Sequence, residues 1–131
     1  MRQVSYGYRK ELKGVAYAEA ITRTTEALKT EGFGVLTQID VKATMKAKLG
    51  LDRPAYAILG ACNPTLAHRA LEGEPEIGLL LPCNVVVAET EDGSEVQIAD
   101  PKEMFKIVDN RELAPLADEV GSKLRRVLER V

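Results

Sequence analysis

Apolar and polar residues alternate at the start of the chain. Val4, Tyr6 and Tyr8 stand on one side and Ser5, Gly7 and Arg9 on the other, the period of a half-buried strand. From Val15 to Glu31 the period lengthens to that of a helix, with Tyr17, Ala20, Ile21, Thr24 and Leu28 on one face. Gly32 follows at the position where a left-handed backbone is cheap only without a Cβ. Phe33, Val35, Thr37, Ile39 and Val41 then share one side of a second predicted strand. Asp40 is a candidate N-cap for a short helix turning Val41, Met45 and Leu49 inward and Lys42, Lys46 and Lys48 outward, stopped by Gly50.

Ala55 to Cys62 reads as a third strand, and Asn63-Pro64 as a sharp helix start, because Asn caps and Pro at the first helical position loses no needed N–H. Ala67, Ala70 and Leu71 would line the inner side of that helix, which Gly73 ends. Leu79 to Ala88 is apolar on both faces, the mark of a central strand, with Pro82 as a bulge or bend because it cannot donate to a ladder. Glu91-Asp92-Gly93 is a hairpin turn, and Val96 and Ile98 alternate with polar neighbours in the last strand. Asp100-Pro101-Lys102-Glu103 carries a capping Asp, Pro at the first position and Glu at the third. Leu113, Leu116, Ala117, Val120, Leu124, Val127, Leu128 and Val131 then repeat at three-and-four spacing, the clearest period in the chain.

These elements predict an α+β fold: a five-stranded, mostly antiparallel sheet with two long helices on one face and short helices inserted between strands. The inserted helices are short and the last two strands must pair as a hairpin. A parallel α/β sheet with right-handed crossovers is the competing arrangement. No linker, repeat or low-complexity stretch divides residues 1–131, so one domain is expected.

Composition narrows the function classes. The 45% hydrophobic content argues against disorder, and a net charge of −2 sets up no overall field towards nucleic acid or an anionic membrane. Aromatics at 5%, with no Trp, leave few base-stacking platforms. No apolar leader opens the chain and no run is long enough to span a bilayer, so a cytoplasmic protein is expected. Its two cysteines then read as reduced thiols, although few Asn and Gln beside many Glu, Lys and Arg lean towards a thermophile, where cytosolic disulfides occur.

Three segments resemble the signature of the domain-of-unknown-function 302 family of bacteria and archaea. They are Glu31 to Lys42 (EGFGVLTQIDVK), Ile58 to Pro64 (ILGACNP) and Ile77 to Val87 (IGLLLPCNVVV). The likeness runs from about Val15 to Asp100, with all three blocks in order. It implies a TATA-binding-protein-like β-α-β(4)-α arrangement and a homodimer. It implies no activity.

The candidate site is the repeated Cys-Asn pair. Cys62-Asn63-Pro64 closes one strand and Pro82-Cys83-Asn84 opens another. Two neighbouring thiols would permit a reversible disulfide, a soft-metal site or a persulfide carrier. Cys62 also precedes a helix N-terminus, whose dipole lowers a thiol pKa. Against this, free Cys is a small hydrophobe usually found buried, Asn63 is explained as a cap, and Asn84 can serve backbone groups at a bend. A zinc site would need Cys62, Cys83, the single His68 and a carboxylate such as Asp40, without the spacing that makes ligands converge, so no metal or other cofactor is expected. Gly32-Phe33-Gly34 lies at a helix end leading into a strand, the wrong order for a phosphate cradle. The favoured reading is a small-ligand-binding domain with Asn63, Asn84, Pro82 and Asp40 as ligand-binding candidates. A thiol-dependent enzyme or sulfur carrier using Cys62 or Cys83, and a structural or partner-binding homodimer, are the alternatives.

Overall fold

The alternation at the start of the chain folds back on itself instead of running on as one strand. In the computed structural model, which describes residues 2–131, Arg2–Val4 (β1) turns through Ser5-Tyr6 and pairs antiparallel with Gly7–Lys13 (β2). The sheet therefore gains a sixth, short strand beyond the five expected. Its order is β1-β2-β6-β5-β4-β3, and every pairing is antiparallel. The remaining strands are Gly34–Asp40 (β3), Tyr56–Cys62 (β4), Cys83–Thr90 (β5) and Gly93–Ala99 (β6). Without β1, the chain order is β-α-β(4)-α with short insertions. The parallel alternative fails because no inserted helix makes a parallel crossover.

Two long helices, Tyr17–Thr30 (α1) and Leu113–Arg130 (α5), cover one face. Their apolar stripes close over Val85, Val87, Val96, Ile98, Ala57 and Leu59, all essentially inaccessible to water. Every periodic apolar residue read in the last helix is buried. Pro115 sits within its first turn, where the missing N–H has no intrahelical partner to lose. Lys10 Nζ donates to the carbonyl oxygens of Leu128, Glu129 and Val131 at 3.0–3.2 Å, tying β2 to the end of α5, where the helix dipole favours a cation. No helix among the described residues is long and apolar enough to cross a membrane.

The short helices follow their caps. Asp40 Oδ1 accepts from Ala43 N at 2.9 Å at the head of Val41–Leu49 (α2), and Gly50 ends it with φ +67°. Yet α2 fully buries none of its residues: Val41 and Met45 are half-buried and Leu49 is 63% exposed, so the inward stripe expected of it is only partly covered. A break in the pairing register between Val35 and Thr37 splits the apolar side expected of β3: Phe33 is buried, whereas Ile39 is exposed. In Pro64–Gly73 (α3) the buried residues are Leu66 and Ala70, and Leu71 points out. A 3-10 turn over Pro75–Leu80 leads to Pro82, which stands just outside the ladder behind a cis Leu81–Pro82 bond. Pro101–Met104 (α4) starts at Asp100, whose Oδ1 accepts from Lys102 N at 3.0 Å.

Candidate functional site

The three signature segments meet at one end of the sheet, through contacts that sequence spacing does not show. Asn63 Oδ1 accepts from Leu66 N at 3.3 Å, capping α3, while its Nδ2 donates to the backbone oxygen of Glu31 at 3.2 Å. Gly32 beside it is at φ +83°, and a Cβ there would lie 2.9 Å from Asn63 Nδ2, so both backbone and space require glycine. Gly60 is held between the other two segments. A Cβ on it would collide with Thr37 Oγ1 and lie 2.8 Å from Pro82 Cγ.

Cys83 and Asn84 are consecutive in β5, so they serve opposite faces of the sheet. Cys83 pairs in register with Ala61 and faces the helices. Both cysteines, with Phe33, Leu66, Leu116 and Val120, line an apolar cavity of about 40 Å³ beneath α3 and α5. That volume holds little more than a water molecule. Burial first, and Cys62 nearby second, push the Cys83 thiol up to about 11. At neutral pH it is a protonated, weakly nucleophilic group.

Asn84 belongs to the uncovered face. Arg9, Gln97, Val86, Ile58 and Ile39 form a cross-strand row there, from β2 to β3. Asn84 borders a hollow of about 140 Å³ with Leu79, Pro82, Ala99 and Met104. It also borders a groove of about 400 Å³ that shares Ala99 and Met104 with that hollow. Tyr6, Tyr8, Arg9, Tyr56, Val86 and Gln97 are also among the groove's lining residues. Glu95, 7% exposed, pairs with Arg9 Nε and accepts from Gln97 Nε2 at 3.3 Å. This pairing raises the Arg9 pKa further above its ordinary value. Arg53 stacks 5.0 Å above the centre of the Tyr56 ring.

The remaining candidates do not gather here. Asp40 pairs in register with Ala57, four residues along β4 from the partner of Cys83, a separation of about 13 Å. Its neighbour is Tyr17, whose hydroxyl pKa is raised by burial and then by Asp40. His68 is exposed on α3 with Nε2 3.4 Å from Glu72 Oε1, away from both thiols. Among the described residues no three His, Cys, Asp or Glu side chains come together as a metal site would need. Arg9, Gln97 and Tyr56 carried no local signal in the sequence, because only the strand order brings them beside Asn84.

Residues 8–131 match the family described as Domain of unknown function DUF302. The chain belongs to that family. A crystal structure of an uncharacterised conserved DUF302 protein from Bacillus stearothermophilus superposes with a TM-score of 0.88 at 30% identity, over 97% of this chain and 98% of that one. An uncharacterised protein of Aquifex aeolicus (strain VF5) is 28% identical over 87 residues, 66% of this chain. The chain spans about half the length of that relative, 54%. The DUF302 resemblance read from the three segments is thus the family of the chain, and no specific function is established for these relatives.

Proposed function

We propose that this DUF302 domain binds a small ligand in the groove on the uncovered sheet face, beside Asn84. The observation that carries this reading is the groove itself. Its volume of about 400 Å³ falls in the range of small-molecule sites, and it sets a few polar groups (Arg9, Asn84, Gln97) among apolar and aromatic walls. The cavity at Cys62 and Cys83 is ten times smaller, which supports a ligand on the Asn84 side of the Cys-Asn pair. A protonated Cys83 gives the thiol-enzyme alternative less support.

The working unit on this reading is a homodimer. Its support is an uncovered edge: Leu36, Ile39, Leu49 and Leu51 are exposed on β3, α2 and the segment that follows. Light scattering on the purified protein, giving twice the chain mass, is the expected result.

A screen of a few hundred fragments against ¹⁵N-labelled protein tests the binding site. Hits should perturb the side-chain amides of Asn84 and Gln97, and Asn84→Ala should weaken them. Hits confined to the helical face would refute the reading.

A further inference from the structure

We infer that the ligand of this groove is a small organic anion, a carboxylate on an apolar or aromatic body, received by the terminal nitrogens of Arg9. The inference rests on the groove being the binding site. Among the described side chains that line the groove, Arg9 is the single charged one and none is acidic. Glu95 lies outside the lining and engages Arg9 through Nε, which leaves the two terminal nitrogens to a ligand. A guanidinium held by one edge presents the other as a planar fork that matches a carboxylate.

Neighbouring groups fit the same chemistry. Asn84 and Gln97 offer amide donors for a second carboxylate oxygen or a polar substituent, and Val86, Ala99 and Met104 offer an apolar floor. Tyr56 supplies an aromatic wall, and Arg53 above its ring adds a second cation at the rim. Glu11 also acts electrostatically on Arg9 but is absent from the lining, as is Glu95. These two carboxylates repel an anion that approaches anywhere except along the free edge of the guanidinium, so they favour a compact head group over a diffuse anionic surface. In this arrangement Glu95 is a positioning residue for Arg9.

Three probes of matched shape separate this inference from the reading it rests on. Naphthylacetate, its neutral amide and naphthylethylamine are titrated into ¹⁵N-labelled protein and followed at Asn84 and Gln97. The expected result is saturable shifts at those residues with the acid, at least tenfold weaker binding of the amide, and weaker binding still of the amine. Equal affinities of acid and amide at the same residues would overturn the anion while leaving the groove in place. Absence of groove shifts with all three probes would overturn both. Arg9→Lys should keep part of the preference for the acid. The double variant R9Q/E95Q, which removes both members of the Arg9–Glu95 pair, should abolish that preference; an acid-to-amide ratio unchanged in this folded variant would also overturn the inference.

Discussion

Asn63 Nδ2 donates to the backbone oxygen of Glu31 at 3.2 Å while Asn63 Oδ1 caps the next helix, so one amide joins the end of α1 to the start of α3. Both ends of that side chain are used, and the two bonds need opposite chemistry. Asn63→Asp keeps the cap and loses the donor. Asn63→Ala loses both and should lower stability by about 2 kcal/mol, with Asn63→Asp in between. Urea denaturation of the three proteins gives that order.

Gly60 is as constrained as Asn63 but sterically. Gly60→Ala should cost about 1–3 kcal/mol, because Thr37 on β3 and Pro82 just before β5 leave no room for a methyl group. Thr37→Ala removes one of the two obstacles, so the double variant should be more stable than the sum of the single effects predicts. A thermodynamic cycle from urea midpoints tests this.

Glu31 predicts the acid limb of stability. Its carboxylate accepts from Arg126 at 2.8 and 3.0 Å, and Arg130 and Lys123 add to the field, which together hold its pKa below the ordinary 4.5. A depressed folded-state pKa contributes stability that is complete above about pH 4.5 and is lost as the pH falls through the folded value. Glu31→Gln should therefore lower stability at pH 7 and flatten its loss below pH 4.5. Thermal melts from pH 7 to pH 2 measure both.

Cys83 predicts slow alkylation. With the thiol at about 11 in place of the ordinary 9.0, the reactive thiolate is about a hundredfold scarcer near neutral pH. Iodoacetamide labelling followed by mass spectrometry should find Cys83 at least that much slower in the folded than in the unfolded protein. The rate should rise about tenfold per pH unit up to the folded pKa.

Thr24 predicts a stabilising change. Its hydroxyl is fully buried on α1 with no hydrogen-bond partner among the described residues. Thr24→Val removes the unpaired polar atom while preserving shape, and should raise stability by about 1 kcal/mol in the same urea assay.

Local signals in the sequence determined most of the secondary structure. Caps at Asp40, Asn63 and Asp100 start helices where those residues stand, because a side-chain oxygen facing an unpaired N–H acts within three residues of itself. The stripe from Leu113 to Val131 likewise needed no context, since a helix with that period has one apolar face to bury. The three family segments were legible for the same reason, being contiguous.

Tertiary structure decided what depends on partners distant in the chain. The turn at Ser5-Tyr6 forms because β2 pairs with β6, about 85 residues away, so an even alternation could not reveal where the first strand would fold back. The bulge between Val35 and Thr37 lies in the pairing with β4, which the period of β3 does not record. The candidate residues divide between two faces for the same reason. Cys83 and Asn84 are one motif in sequence, but a strand sends consecutive side chains to opposite faces. Strand order alone then decided that Cys83 meets the core and Asn84 meets Arg9 and Gln97 across the open sheet.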